Sequence, residues 1–469
     1  MGLEGLPFGF TIDFSFWGMI LNLPSSELTR VVFAMFGWAF LALVFFFVGA
    51  HLWLDLRQDL NVHHWQWVVL AVDVPPDTVQ SPKAVEQIFA HLSGALDEPN
   101  FGQKYWGGAK QRWFSLEIIS LEGYIQFLVY TEIAHRDLVE AAVYAQYPMA
   151  EITEVEDYVS LIPSKFPNET HNMFGIEFGL VAADPYPIRT YEEFEHNIMP
   201  DELKFNDPMA SILENFTRIG AGENLWFQII IEPTSSSWKE KGIKLVKEII
   251  ENKAPHHDQI FVVKAINVFA SELLNAIKGP SEDHSGSHEE RETPGKVSDL
   301  TPRGRDTIAA IEDKISKVGF KSKMRVIYAA KKEVFNPGRC LDGFVGSINQ
   351  FNFTGRNALV PVAATNAHYF FKNAKIIELK NKFIKAYKKR KLKMGKNPYV
   401  LNTEELATLW HFPLPLVKTP LLQKTGGKRA EPPINLPIEE LAESPLKRKT
   451  PPPPPEPPKE ESPAELPYA

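Results

Sequence analysis

The chain has 469 residues, 44% of them hydrophobic and 23% charged. That composition excludes a wholly disordered protein and, at this length, points to two or three domains. A net charge of −8 is mild and names no nucleic-acid or acidic partner. The single cysteine, Cys340, excludes an intramolecular disulfide and reads as a buried thiol, the alternative being a catalytic one.

Residues 1–30 precede a run without charge, Val31–Leu54 (VVFAMFGWAFLALVFFFVGAHLWL). A bilayer core of about 30 Å takes roughly 20 apolar residues as a helix, so the run predicts one transmembrane span at 31–54. Trp53 stands near its end, where interfacial aromatics collect. A cleaved signal peptide fits less well, because no basic start precedes a run this long. Arg30 and Arg57 flank the two ends almost equally. The absence of Lys and Arg before Arg30 favours a single-pass protein of the plasma membrane with its body in the cytoplasm. Leu6–Leu23 is aromatic and amphiphilic and reads as an interfacial segment.

The body opens with a buried strand, Gln66–Val74, ended by Pro75-Pro76-Asp77. Ser81-Pro82 then caps a helix carrying Val85, Ile88, Phe89 and Leu92 at helical spacing. Strands follow at Trp113–Leu121 and Tyr124–Thr131 across Glu122-Gly123. Next come a helix over Arg136–Gln146, with Leu138, Ala141, Ala142 and Ala145 inward, and a strand at Glu151–Tyr158. The order β-α-β-β-α-β over 62–160 is that of a split βαβ, ferredoxin-like sandwich. A similar order is expected over 174–365. Its first strand is placed at Gly179–Ala183 and Tyr186–Thr190, its first helix at Pro208–Ile219, and further strands at Leu225–Glu232, Lys323–Ala330 and Leu359–Ala363, with a helix at Pro337–Gln350. An insertion at 235–319 separates its second and third strands. Amphipathic helices at Lys239–Asn252 and Arg303–Val318 bound it, with a polar loop at Lys278–Thr301 between them. The fold class expected is therefore α+β: one N-terminal transmembrane helix, then two ferredoxin-like domains, the second with a helical insertion.

Residues 370–396 form a basic helix in which Ile376, Leu379, Phe383, Ile384 and Tyr387 supply the packing stripe. Lys382, Lys385, Lys388, Lys389, Arg390, Lys391 and Lys393 are its candidate contacts to nucleic-acid phosphates or anionic lipid, against the alternative of a solvated helix. A connector at 397–437 and a disordered Pro-rich tail at 438–469, with Pro451–Pro455, complete the chain.

Motifs of chemistry are sparse. Gly102–Gly108 (GQKYWGG) has glycine where a P-loop needs lysine, and Thr425-Gly426-Gly427-Lys428 lacks the upstream glycine. His63-His64 and His256-His257 are adjacent pairs, His284 and His288 sit in a polar stretch, and none forms a convincing ligand set. Glu151, Glu154, Glu156 and Asp157 read as a solvated face. The expectation is thus no catalytic residue, no cofactor and no metal.

Leu401–Pro413 (LNTEELATLWHFP), Val417–Pro420 and Glu431–Pro437 (EPPINLP) together resemble the connector that precedes the motor domain in bacterial conjugation-type and type IV secretion coupling ATPases. WVVLAVDVPPD, SPKAVEQIFAHLSGAL, FSLEIISLEGYIQFLVYT, LVEAAVYAQYPMAEITEVEDYV and GAGENLWFQIIIEP are similar to the N-terminal, non-motor region of the same uncharacterised membrane-protein family. In the full-length relatives a Walker A loop follows the NLP segment. Here a charged, Pro-rich stretch begins at Ile438, so no nucleotide-binding residue carries over. The resemblance implies a non-enzymatic membrane scaffold, oligomeric, that recruits a P-loop ATPase in trans. The alternatives are a membrane-tethered nucleic-acid-binding module and an enzyme working from the acidic surface.

Overall fold

The computed structural model describes residues 24–75, 78, 80–199, 202–205, 207–251, 302–353, 355–366 and 372–414. The segment Leu6–Leu23, the polar loop 278–301 with its histidines, the His256-His257 pair and everything beyond residue 414 lie outside the described residues. The described chain forms two units.

The first unit is helix α1 (Ser25–His63) with the segment 97–110. Within Phe40–His63 an 18-residue window has mean hydropathy 1.6 and none of that window is buried by protein, so α1 is long and apolar enough to cross a bilayer. Segment 97–110 carries a short helix, Phe101–Tyr105, begun by a capping box in which Asn100 and Gln103 satisfy each other's backbone N–H groups.

The second unit is built on one antiparallel sheet. Its elements in chain order begin with β1 (Trp67–Asp73), α2 (Pro82–Leu92), β2 (Phe114–Leu121), β3 (Tyr124–Glu132), α3 (Arg136–Gln146) and β4 (Glu151–Val155). Then come β5 (His171–Leu180), a hairpin of β6 (Glu195–Met199) and β7 (Glu202–Phe205), α4 (Pro208–Thr217) and β8 (Glu223–Pro233). The inserted helices α5 (Ser237–Ile250) and α6 (Pro302–Ser316) follow, and then β9 (Gly319–Lys331), α7 (Gly338–Asn349) and β10 (Leu359–Ala364). The chain continues through α8 (Lys372–Lys388), β11 (Tyr399–Asn402) and α9 (Thr403–Leu409).

The strand order is β10-β5-β9-β8-β2-β3-β1-β4, with β11 paired to the start of β9, nine strands in all among the described residues. Each half of the chain thus repeats the same order, fourth-first-third-second. The two halves meet where β2 pairs with β8 from Phe114↔Ile231 to Leu121↔Asn224. The sequence led to two separate sheets; the structure has one. The physical reason lies in β2, which is buried at every position. A strand buried on both faces cannot be left as an open edge, and pairing two such edges removes both.

Helices α2, α3, α4, α7 and α9 cover one face of the sheet. They pack on alternate strand residues such as Leu70, Leu116, Phe127, Phe178, Phe227 and Val326. On α3 the inward residues are Val139, Ala142 and Val143, whereas Ala141 and Ala145 are exposed, one helical step from the expected stripe. Cys340 is fully buried on α7, and burial pushes its thiol up, away from nucleophilic use.

Two expectations are corrected here. The first strand of the second half is His171–Leu180, and 181–190 is irregular. This strand has few β-branched residues because two of its positions are glycines under close neighbours: a Cβ on Gly175 would lie 2.5 Å from the Phe383 ring, and one on Gly179 2.9 Å from Val362. The connector is the second correction. Tyr399–Phe412 is core, with Leu406, Leu409, Trp410 and Phe412 inside the main hydrophobic cluster. Its helix α9 starts on a capping box of Asn402 and Glu405. Glu405 also forms a wholly buried pair with Lys314 of α6 at 3.0 Å and accepts the Ile188 N–H. Burial pushes the Glu405 carboxyl up, against the opposing pull of Lys314 and those N–H donors.

Candidate functional site

The opposite face of the sheet is covered by α8 and by residues 158–166, through Tyr158, Ile162, Phe166, Ile384 and Tyr387. Beneath α8 a row of polar residues crosses four adjacent strands. Glu117 on β2 faces Gln228 on β8, Gln228 faces Arg325 on β9, and Arg325 faces Glu177 on β5. All four are buried. Charges placed there need partners, since an unpaired buried ion costs several kcal/mol by order of magnitude.

At one end the partner is Arg390, just past the C-terminus of α8. Its guanidinium, 0% exposed, donates to both Glu117 oxygens at 2.8 and 3.0 Å and to both Asp157 oxygens at 2.8 and 2.9 Å. It also lies 3.9 Å from the centre of the Tyr130 ring. Ser115, Gln228 and the Tyr158 hydroxyl donate to the Glu117 carboxylate as well, at 2.7, 2.9 and 2.9 Å. Burial opposes the arginine's charge, but the two carboxylates outweigh it and hold Arg390 protonated at all accessible pH. Burial likewise drives the Tyr158 and Tyr387 hydroxyls, 3.1 Å apart, well above the ordinary phenol range. Arg390 itself sits at φ +47, in the left-handed region, where the turn leaving the helix aims it inward.

At the other end the backbone after α8 closes over Arg325 and Glu177. Arg325 donates to Glu177 at 3.0 Å and to the Lys391 and Met394 carbonyls. The Lys396 N–H returns to Glu177 at 2.7 Å. Gly395, at φ +98, has no room for a side chain, because a Cβ would lie 2.3 Å from the Glu177 carboxylate. Lys323, with its side chain 1% exposed, donates to the Met394 carbonyl at 2.9 Å and to that of Lys396.

Burial lowers the Lys323 ammonium to about 8. Glu177 at 3.7 Å opposes the shift and Arg325 adds to it. The folded value lies below the ordinary 10.5, so between pH 8 and 10.5 the unfolded chain holds more protons on this group and stability rises with pH. The gain is fully present above 10.5 and absent below 8. Thermal midpoints of the wild type and Lys323→Met at pH 7.5 and 10 test this. The wild type gains on the variant as pH rises, and a constant difference refutes the assignment.

The candidate contact residues therefore divide. Arg390 is not a surface residue, because its donors are engaged inside the sheet. Lys388 donates to the Ile162 carbonyl and to Ser164. Lys391 is half-buried, and its carbonyl serves Arg325. Lys382, Lys385, Lys389 and Lys393 are exposed. Lys382 pairs with Glu378, whose carboxyl is pulled to about 2 by Lys382 and Lys375. Asp157, expected in a solvated acidic face, belongs to the Arg390 clamp. Glu117, Gln228, Arg325 and Glu177 were not singled out from the sequence. Glu117 and Glu177 are each the lone carboxylate of an apolar strand and Gln228 interrupts LWFQIII, and that was the available signal; Arg325 follows Lys321, Ser322 and Lys323 and gave none.

A second concavity, a cleft of about 380 Å³, lies between α6 and residues 187–193, with Glu192, Glu193, Asp306, Asp313 and Glu404 on its walls. Its cations are paired, Arg356 with Glu193 and Lys314 with Glu405, and the neighbouring Lys317 pairs with the wall residues Asp313 and Glu404. Among the described residues no group of three His, Cys, Asp or Glu side chains could hold a metal ion.

The arrangement defines a class: a mixed α+β body with a closed, ion-paired interior, in a chain whose described residues also include one helix long and apolar enough to span a membrane. The chain belongs to the family described as Domain of unknown function (DUF8128), whose model matches residues 112–425. The matched range holds the whole polar row and its Arg390 clamp. No curated protein matches the sequence.

Proposed function

We propose that the protein is a non-enzymatic, membrane-anchored accessory platform of a type IV secretion or conjugation-like complex. In this reading α1 crosses the plasma membrane once, the body stands in the cytoplasm, each half of the sheet is a ferredoxin-like unit, and the assembly is oligomeric. The observation that carries it is the fate of the charged groups. Among the described residues the buried guanidinium groups of Arg390 and Arg325 are engaged in internal pairs with Glu117, Asp157 and Glu177, which supports a structural use of these charges. A P-loop ATPase in trans is the partner that the sequence resemblance implies. In this reading its contact lies beyond residue 414, a choice supported by the burial of 399–412 in the core. Purification of the full chain in detergent from its native membranes, beside a chain ending at residue 414, tests the proposal. Co-purification of a P-loop ATPase with the full chain only supports it. Nucleotide hydrolysis by the isolated chain, or no ATPase with either form, refutes it.

The second reading, a nucleic-acid or anionic-lipid contact, is favoured by one feature. Lys382, Lys385 and Lys389 recur at helical spacing and are exposed. Under it, the triple change to Glu abolishes retention on DNA or on anionic vesicles and flattens the salt dependence by roughly three counterions. Unchanged binding removes this reading.

A further inference from the structure

The first unit carries a feature that the span alone does not explain. Four side chains in the last turns of α1 reach the backbone of segment 97–110. Trp53 donates to the Tyr105 carbonyl at 3.0 Å, Arg57 to that of Trp106 at 2.8 Å, Asn61 to that of Gly108 at 2.9 Å, and Gln58 to that of Ala109 at 3.3 Å. The seam is tight: Gly108 is at φ +68, and a Cβ there would lie 2.2 Å from the Arg57 carbonyl oxygen. The segment is thus clipped along α1 at a fixed height.

That height is the end of the apolar run. Val31–Leu54 rises roughly 35 Å as a helix, against a hydrocarbon thickness of about 30 Å, which puts Trp53 and Arg57 at the headgroup boundary. At this level the segment presents Phe101, 68% exposed, and Trp106, 64% exposed. Their rings and that of Tyr105 form one cluster, with Phe101 4.5 Å from Tyr105 and 6.0 Å from Trp106, and Lys104 lies beside the Tyr105 ring. Large exposed aromatics with a lysine beside them, held where a bilayer surface falls, have the composition of an interfacial belt.

We propose that Phe101–Trp106 is a second membrane contact, an interfacial foot that inserts its aromatics into the headgroup zone of the bilayer α1 crosses. This rests on α1 being a membrane span. The foot would fix the depth and rotation of α1, which a single apolar helix leaves free.

The test uses the full chain with Cys340→Ala, reconstituted in phosphatidylcholine nanodiscs. A nitroxide is placed in turn at Phe47→Cys, Phe101→Cys and Lys241→Cys, the last an exposed position on α5. Collision with oxygen and with a water-soluble nickel chelate gives the depth of each label. The expected result is a deep label at 47, an aqueous label at 241, and a label at 101 in the headgroup zone with nickel access several-fold below that of 241. A deep label at 47 with nickel access at 101 equal to 241 overturns the foot and leaves the span intact. A label at 101 shielded from both reagents marks a protein contact and also overturns it. An aqueous label at 47 refutes the span itself.

Discussion

Replacing Arg390 with methionine is expected to destabilise the body by about 3–5 kcal/mol, because it strands the carboxylate of Glu117 inside the sheet. Glu117 is 0% exposed, and after the change it keeps only the neutral donors Ser115, Gln228 and Tyr158. Asp157 loses both of its charge-assisted bonds but is part-exposed, with its side chain at 37%, and can rehydrate. The asymmetry gives the experiment its control. Arg390→Met combined with Glu117→Gln removes both buried charges and should recover much of the loss, whereas combination with Asp157→Asn should recover little. The thermal midpoint of the detergent-solubilised chain is expected to fall by roughly 5 °C or more for the single variant. A midpoint unchanged in Arg390→Met would make the clamp ornamental and return Arg390 to the basic surface.

The same clamp shows what a sequence makes visible and what it hides. In the first half the strands declared themselves where β-branched runs such as WVVLAVD and YIQFLVYT stop at turn residues, and the boundaries of these two fall within a residue of the observed ones; β4, expected to reach Tyr158, ends at Val155. Strand β5 was misplaced because it trades branched residues for Gly175 and Gly179 where Phe383 and Val362 press on it, and that need is visible only in three dimensions. The union of the two halves was latent in FSLEIISL and LWFQIIIE. Each reads as buried on both faces, yet the fourth-first-third-second order would leave each at an edge. The basic helix was located, but not its orientation or its end, which falls at Lys388 and not at 396, so that Lys389, Arg390, Lys391 and Lys393 lie on the turn beyond it. Ile384 and Tyr387 were correctly placed in its packing stripe, while Arg390 was counted with the lysines. Charge alone does not distinguish a guanidinium facing solvent from one facing a carboxylate more than two hundred residues earlier. The distinguishing mark was the opposing acid, a glutamate in the middle of an apolar strand.

The second large effect is expected at Trp410, and it decides what the segment after the basic helix is. As a connector leading out of the body, Leu401–Pro413 would tolerate truncation of its aromatics. As core it does not. Trp410 is 1% exposed, and its ring lies 6.3 Å from Phe89, 5.8 Å from Phe127 and 5.2 Å from Phe412. It therefore ties the end of the described chain to helix α2 and strand β3 near its beginning. Trp410→Ala is expected to cost about 3–5 kcal/mol, the usual range for emptying a buried aromatic site. Trp410→Phe, which keeps a ring among rings, should cost much less. Midpoints of the two variants against wild type measure the difference. If Trp410→Ala melts with the wild type, then 399–412 is a detachable arm, and the proposed recruitment contact moves back into it. If only the alanine variant collapses, the proposed recruitment contact has to be sought outside 399–412, because a segment that completes the core cannot leave it without unfolding the sheet it covers.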